Sequence, residues 1–167
     1  MLKSKIFLTL ETFKKIRFFT DLAEGEVSGL GKVERSGNDF IITDVYCLKQ
    51  YNTGASTELD SEDIAKLLCR LYEKKEDVSL LKFWWHSHAN FGAFWSGTDT
   101  HTISEFAASN SYLISLVTNK NGDILARLDI FNPIECTFDN VELDVMIDAK
   151  DAALKEECQK ELEHINE

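Results

Sequence analysis

The sequence predicts a single layered α/β domain, and three observations lead to this fold class. Short strand-like runs alternate with segments of helical periodicity along the chain, which is typical of a sheet flanked by helices. The chain has 167 residues, a length that suits one compact domain with a sizeable core. It contains one proline and eight glycines, and no stretch rich in either residue marks a linker to a second unit.

The first half of the chain is predicted to contain three strands and two helices. We expect a strand over 5–10, a helix over 11–23, strands over 26–35 and 40–48, a loop over 50–60 and a helix over 62–74. Phe13, Ile16 and Phe19 recur at helical spacing, and Gly25 is expected to end the first helix. The turn sequence SGND indicates that the next two strands form a hairpin. Ser61 is the predicted N-cap of the second helix.

The second half of the chain continues the alternation of strands and helices. We expect a buried strand over 80–88, a helix over 97–108, strands over 112–118 and 124–131, a further strand within 134–146 and a helix over 148–166. The turn sequence NKNG favours a hairpin between the two middle strands. The last helix carries an apolar stripe formed by Leu154, Cys158, Leu162 and Ile165. This stripe can pack on its own domain or on a partner, and we expect it to pack on its own domain.

Charge and hydropathy exclude several classes of function. Eighteen lysine and arginine residues face 29 aspartate and glutamate residues, which gives a formal net charge of −11. Nucleic-acid binding needs a basic patch to neutralise phosphates, and an anionic membrane surface needs one too, but the sequence contains no such cluster. No run approaches the ~18 apolar residues that a membrane span needs, and the N-terminus lacks the features of a signal peptide.

Cysteine usage points to a reducing, cytoplasmic environment. The four cysteines form no Cys-x-x-Cys pair and show no metal-type spacing. Reduced thiols are the rule in the cytosol. Cys69 and Cys158 fall within predicted helices, and we expect them to be buried as small apolar side chains.

A candidate metal site lies in the segment HSHANFGAFWSGTD. His86 and His88 are two residues apart at the end of a predicted strand, so both imidazoles leave the same face of the sheet. Asp99 can provide a third ligand from the first turn of the next helix. A catalytic zinc ion generally takes three protein ligands and leaves one position for water. Two neutral imidazoles and a carboxylate in this arrangement therefore predict a zinc site.

Two further residues complete a hydrolytic constellation. Ser96 can donate a hydrogen bond to a carbonyl oxygen as negative charge develops there. Ser96 and Asp99 also fit a capping box at a helix start, and both roles are compatible. A carboxylate that is not a ligand must accept the proton of the attacking water. Glu26 is our candidate for this base, and Glu24 is its rival.

The whole pattern resembles the signature of the JAMM (MPN+) metalloproteases. That signature is Glu, then His-x-His, seven residues, and Ser-x-x-Asp. The stretch WWHSHANFGAFWSGTD is similar to the WYHSHPGFGCWLSG-x-D of the proteasome-lid and signalosome deubiquitinases, and EVSGL over 26–30 is similar to their Glu-x-x-Gly-Leu element. The resemblance covers roughly residues 5–131. Ala89 replaces the usual proline, and the continuation Gly31-Lys32 is more polar than is usual.

The resemblance implies a fold and a set of roles. It implies that residues 1–146 form one MPN-like catalytic domain, with a curved mixed sheet flanked by helices in an architecture related to cytidine deaminases. The segment 147–167 would be a C-terminal helix packed on that domain. One Zn²⁺ ion would be held by His86, His88 and Asp99. Glu26 would be the general base and Ser96 would stabilise the tetrahedral intermediate.

The resemblance also implies a class of substrate. It implies hydrolysis of a peptide or isopeptide bond, with a protein or peptide substrate and often the C-terminal tail of a ubiquitin-like protein. In relatives the segment corresponding to 50–60 covers the substrate tail. Phe91, Phe94 and Trp95 can line a substrate groove or pack the connection onto the domain. His101 is expected to point away from the site, because it lies two helical positions beyond Asp99.

Three other functions compete with this one. A non-catalytic MPN scaffold would have lost ligands, whereas all five motif positions are filled here. A processing peptidase for a small sulfur-carrier protein would use the same residues. A deaminase would need a Pro-Cys-x-x-Cys element, which the sequence lacks.

Overall fold

The computed structural model describes residues 4–53 and 56–165. Its strands are β1 (Ile6–Thr9), β2 (Val27–Ser36), β3 (Asp39–Leu48), β4 (Gln50–Thr53), β5 (Ser56–Leu59), β6 (Leu81–Ser87), β7 (Tyr112–Thr118), β8 (Ile124–Ile130), β9 (Cys136–Phe138) and β10 (Leu143–Met146). Its α-helices are α1 (Leu10–Leu22), α2 (Ser61–Glu73), α3 (Gly97–Glu105) and α4 (Ala149–Ile165). Short 3₁₀ turns cover Val78–Leu80 and Phe106–Ala108.

The main sheet is mixed and curled into a half-barrel with helices around it. Across the described ranges it contains eight strands in the order β10-β1-β3-β2-β6-β7-β8-β9. β1 pairs in parallel with β10 and β3, and β6 pairs in parallel with β7, while the remaining neighbours are antiparallel. The predicted α/β class and the curved mixed sheet are confirmed.

Helices cover both faces of the sheet, and two adjacent tryptophans show why. Successive side chains of a strand point to opposite faces, so Trp84 and Trp85 of β6 enter different cores. Trp85 packs in the core under α1, where its ring stacks on Phe19 with centroids 5.7 Å apart. Trp84 packs in the core under α2 and α3, together with Leu67 and Ile103. Both indoles are fully buried, so the strand that leads into the candidate site is anchored from both sides.

The helix starts are set by side-chain caps. Thr9 caps α1 by accepting a hydrogen bond from Thr12 N–H at 3.2 Å. The cap of α2 differs from the prediction, because Asp60 and not Ser61 is the N-cap. Asp60 Oδ1 accepts a hydrogen bond from Asp63 N–H at 2.9 Å. A negative carboxylate at the N-terminus of a helix also interacts favourably with the helix dipole.

Two segments differ from their predicted secondary structure. The predicted loop over 50–60 is wrong, since β4 and β5 form a separate antiparallel hairpin there. The predicted single strand within 134–146 is instead two short strands, β9 and β10, on opposite edges of the sheet. Between them Asn140 adopts a positive φ of 52°, and Val141 N–H donates to the Ala126 carbonyl at 3.0 Å. This turn redirects the chain from one edge to the other.

The cysteines are not buried as expected. Cys47, Cys69, Cys136 and Cys158 are all exposed free thiols. The prediction that Cys69 and Cys158 are buried is therefore wrong, because the face of each helix that carries the cysteine is turned to solvent.

The C-terminal helix α4 exposes the part of its apolar stripe formed by Leu154, Cys158 and Leu162. Leu154 and Leu162 are both exposed, so the structure gives no support to packing of this stripe on the domain. That packing, and the division of the chain at residue 146, stay predictions. Among the described residues, no helix is both long enough and apolar enough to cross a membrane.

Candidate metal centre

The three predicted metal ligands meet at the end of β6. His86 is the next-to-last residue of β6, and His88 directly follows the strand. The backbone N–H of His88 donates to the Thr118 carbonyl of β7 at 2.9 Å. Asp99 lies in the first turn of α3. The histidines are 6% exposed and Asp99 is 3% exposed, yet one ligand atom of each lies within 4.8 Å of the others. The fold therefore brings the predicted ligands together in a buried cluster.

The donor atoms converge on one point. His86 Nε2 lies 3.1 Å from His88 Nε2 and 3.1 Å from Asp99 Oδ1, and His88 Nε2 lies 3.4 Å from Asp99 Oδ2. Two imidazole nitrogens and a carboxylate are a donor set that zinc accepts. Because these atoms lie 3.1 to 3.4 Å apart, a single divalent cation with ligand bonds of about 2 Å can contact all three groups.

The histidine rings are held by neighbours. His88 Nδ1 lies 3.0 Å from the Gly92 carbonyl, so Nδ1 carries a proton, and in the neutral ring Nε2 then presents its lone pair to the cluster. The His86 ring stacks on Trp84 with centroids 4.4 Å apart and an angle of 15° between the planes. The Phe94 ring meets His88 edge-on at 5.0 Å. These contacts orient both imidazoles before any ion is bound.

A capping box fixes the third ligand. Ser96 N–H donates to Asp99 Oδ2 at 2.8 Å, and Asp99 N–H donates to Ser96 Oγ at 3.1 Å. The predicted capping box is confirmed. Asp99 therefore serves the helix start and the histidine cluster at once, and its carboxylate cannot rotate freely.

Electrostatics act differently on the three groups. Burial lowers the pKa of the His86 imidazole, which keeps this ring neutral. A hydrogen bond to Asp99 raises the pKa of the His88 imidazole and favours its protonated form, so a bound cation must displace that proton. Burial raises the pKa of the Asp99 carboxyl, but hydrogen bonds from His86 and His88 outweigh it and hold that pKa well below its usual range. Asp99 is therefore an anion, the form that binds a cation.

The cluster opens into a cleft of about 270 Å³, and Glu26 lies at its mouth. The described residues that line this cleft are Glu26, Gln50, His86, Ser87, His88, Phe91, Phe94, Ser96, Thr98 and Asp99. Glu26 directly precedes β2 and is exposed. Ser96 borders the same space. Glu24 is not among the described lining residues, which favours Glu26 over its rival.

The aromatic residues of the connection divide between the two roles that the sequence left open. Phe91 and Phe94 line the cleft and are 72% and 53% exposed. Trp95 is half-buried and packs in the core under α2 and α3. His101 lies on the exposed side of α3, with Nε2 3.7 Å from Glu105 Oε1, as expected for a residue outside the cluster.

Gln50, Ser87 and Thr98 line the cleft although the sequence analysis did not single out any of their side chains, and Gln50 has the most informative contacts of the three. It is the first residue of β4, and its side chain bonds to Ser28 Oγ and donates to the Glu26 carbonyl at 3.1 Å. It belongs to no motif and follows β3 by one residue, so only the path of the chain after β3 brings it to the cleft.

Curated proteins with a similar sequence match part of the chain. It is 32% identical over 97 residues, or 56% of its length, to the ubiquitin carboxyl-terminal hydrolase RPN11 of Saccharomyces cerevisiae. It is 32% identical over 79 residues, or 47% of its length, to the 26S proteasome regulatory subunit RPN11 of Eremothecium gossypii. The similar segments make up 31% and 25% of those relatives, so the chain matches less than a third of each. No family model matches the chain.

A solved structure has a similar fold. The solution structure of protein DSY2949 from Desulfitobacterium hafniense superposes with a TM-score of 0.59, covering 86% of this chain and 94% of that one at 17% identity. At that identity the likeness shows a shared fold alone. The partial similarity to RPN11 and the buried His-His-Asp cluster together support a relationship to the JAMM/MPN family and a hydrolase with a metal site.

Proposed function

We propose that the protein is a zinc-dependent peptidase or isopeptidase of the JAMM type. One observation carries the proposal: a buried cluster of two imidazoles and a carboxylate opens into a cleft that an exposed glutamate, Glu26, also lines. A structural ion site would be closed, whereas a catalytic site keeps a position open to water. We extend the proposal to an MPN-like fold with the cytidine-deaminase type of architecture.

In this proposal His86, His88 and Asp99 hold one Zn²⁺ ion. Zinc lowers the pKa of a water molecule to about 7 and polarises the carbonyl group of the scissile bond. The protein's part is to present two neutral nitrogens and one anionic oxygen from a rigid frame. The Gly92 carbonyl and the capping box, which orient His88 and Asp99, provide that frame.

Glu26 is the proposed general base and acid. It accepts a proton from the attacking water and returns it to the nitrogen of the leaving amine. Its position on the rim, outside the cluster, suits this role because a ligand carboxylate cannot also move a proton. Its exposure to the cleft lets it contact water and substrate.

Ser96 is proposed to stabilise the charge that develops on the carbonyl oxygen. Its oxygen accepts the Asp99 N–H, and its own O–H can donate into the cleft that Ser96 lines. Because the capping box holds the serine backbone, the hydroxyl needs no reorganisation during the reaction. Glu26 and Ser96 thus flank the metal position with an acceptor and a donor.

The proposed substrate is a protein or peptide with an extended C-terminal tail, such as that of a ubiquitin-like protein. The RPN11 of S. cerevisiae is named a ubiquitin carboxyl-terminal hydrolase, and its similarity supports this class. The hairpin β4–β5 begins at the cleft with Gln50 and offers an edge strand to an extended chain. Net charge of −11 argues against nucleic acid as a partner. Exposed free thiols support a cytoplasmic location.

Two alternatives remain beside this proposal. A non-catalytic MPN scaffold would purify without stoichiometric metal, whereas the intact cluster argues for binding. A processing peptidase for a small sulfur-carrier protein would use the same residues on a different substrate. One set of measurements distinguishes both alternatives from the proposed function.

The test is a cleavage assay on ubiquitin-like conjugates and on linear C-terminal fusions. Wild type should cleave at least one of these substrates, and chelation should abolish cleavage. Glu26→Gln should retain zinc and lose turnover by a factor of at least ~10². Glu24→Gln is the matched control and should keep full turnover. A metal-free wild type with no cleavage of any substrate would instead favour the scaffold.

A further inference from the structure

The segment that carries Glu26 has no regular secondary structure. Residues 23–26 connect the end of α1 to the start of β2, and Gly25 lies next to Glu26. A catalytic carboxylate must be held within a fraction of an ångström of its working position. Neighbouring groups must therefore hold this segment.

Lys120 holds one end of the segment. Its Nζ donates to the Ala23 carbonyl at 2.6 Å, although the two residues are 97 positions apart in the chain. The backbone N–H of Lys120 donates to the Ala89 carbonyl at 2.8 Å. Ala89 directly follows His88, so one residue ties the Glu26 segment to the loop that carries a proposed metal ligand.

Gln50 holds the other end. Its Nε2 donates to the Glu26 carbonyl at 3.1 Å, and its Oε1 bonds to the Ser28 hydroxyl. Ser28 is fully buried on β2 and pairs directly with His86 of β6. The Gln50 amide therefore links the Glu26 backbone to a buried part of the sheet beside His86, the other proposed imidazole ligand.

We propose that Lys120 and Gln50 are positioning residues that set the distance between Glu26 and the metal site. The inference rests on the proposed function, since it assigns these residues a role in the same reaction. Lys120 fixes the segment relative to His88, and Gln50 fixes it relative to His86. Neither residue contacts the reacting atoms in this role, and each acts through the backbone of Glu26.

A simpler role for Lys120 would be to stabilise the end of α1. Ala23 is the C-cap of that helix, and a cation near helix carbonyls is favourable. That role alone would lower the melting temperature on substitution and leave kcat unchanged. The two roles are therefore separated by measuring kcat, KM and stability on the same variants.

The variants are Lys120→Met and Gln50→Met, which keep side-chain length and remove the donors. Each should lower kcat by about 10-fold or more, with KM within about 2-fold of wild type and zinc content unchanged. Lys120→Arg, which keeps a cationic donor, should recover most of the loss. Lys15→Met is the matched control, because Lys15 lies on α1 and pairs with Asp44 of β3 at 2.6 Å, away from the Glu26 segment. It should keep wild-type kcat.

A double-mutant cycle identifies the route of the effect. In a Glu26→Gln background, Lys120→Met and Gln50→Met should cause no further loss of residual turnover, because their effect passes through Glu26. A second readout needs neither metal nor substrate: amide hydrogen exchange at residues 24–27 should accelerate several-fold in both variants and stay unchanged in Lys15→Met.

The outcomes distinguish a failure of the proposed function from a failure of the positioning roles alone. An inactive wild type would overturn the proposed function, while the exchange data would still report whether Lys120 and Gln50 hold the segment. An active wild type with full kcat in both variants would overturn the positioning roles alone. Losses that add to that of Glu26→Gln would also contradict them, since the residues would then act by another route.

Discussion

Gly29 lies against the Tyr46 carbonyl so closely that a β-carbon on Gly29 would be 1.7 Å from that oxygen. Gly29 of β2 pairs with Cys47 of β3, and Tyr46 directly precedes that partner. The same β-carbon would be 3.0 Å from Trp85 Nε1. Only glycine therefore fits at this position of the EVSGL element. The contact lets β2 pack closely between β3 and Trp85 of β6.

Gly29→Ala should destabilise the fold strongly. A methyl group at 1.7 Å from backbone oxygen requires the strands to separate, and we expect a loss of about 3 kcal/mol or more in the free energy of unfolding. Denaturant unfolding measures this. Gly97→Ala is the control, because a β-carbon there meets no atom within 4 Å, and it should be neutral or stabilising. Equal stability of the two variants would contradict the close approach.

Ser96 can be tested in two ways because it caps α3 and borders the cleft. Ser96→Ala should lower the free energy of unfolding by about 1 kcal/mol through the lost cap. Ser96→Gly should cost only a few tenths, since glycine is tolerated at an N-cap. Both lack the hydroxyl, so both should lower kcat by about 10²-fold or more. A Ser96→Gly variant with wild-type kcat would leave Ser96 as a cap only.

Zinc should stabilise the wild-type protein and not the ligand variant. Binding to the folded state alone raises its stability by about 2.7 kcal/mol at 100 times Kd. His88→Ala removes one of three ligands and should abolish both stoichiometric zinc and the rise in melting temperature. His101→Ala, on the exposed side of α3, should behave as wild type. Metal analysis and thermal melts decide this, and zinc retained by His88→Ala at full affinity would contradict the ligand assignment.

The hairpin β4–β5 should contribute to substrate binding and not to metal binding. Replacing residues 51–58 with a short glycine-serine linker keeps Gln50 and removes both strand edges. We expect KM for a protein substrate to rise at least about 10-fold, while zinc content and cleavage of a short peptide stay close to wild type. An unchanged KM would show that the hairpin does not contribute to substrate binding.

The pair of Lys15 and Asp44 should make stability depend on acid pH. Burial raises the pKa of the Asp44 carboxyl, but hydrogen bonds from Lys15 and Val45 N–H outweigh it, so the pKa lies below its ordinary 3.8. A lowered pKa in the folded state gives stability that is present above about pH 4 and is lost as pH falls through the folded value. The melting temperature of Asp44→Asn should therefore lie below wild type at pH 7, and the difference should shrink below pH 4. A melting-temperature difference that stays constant with pH would contradict a stabilising role for the Lys15–Asp44 ion pair.

Local sequence determined the elements and the identity of the candidate ligands. Helical spacing predicted α1, and the spacing of two histidines at a strand end predicted that both imidazoles share a face. Asp99 was indicated because a catalytic zinc site needs a third ligand and Asp99 falls in the first turn of the next predicted helix. These inferences depend on short-range geometry, which residue order specifies directly.

Only the tertiary structure decided which distant groups meet. The contacts of Lys120 with Ala23 and of Gln50 with Glu26 join segments that no local pattern relates. The hairpin β4–β5, the two short edge strands and the exposure of the cysteines were also not predicted. The reason is physical: strand pairing, burial and long-range hydrogen bonds depend on the order of strands in the sheet, and that order is set by the packing of the whole chain.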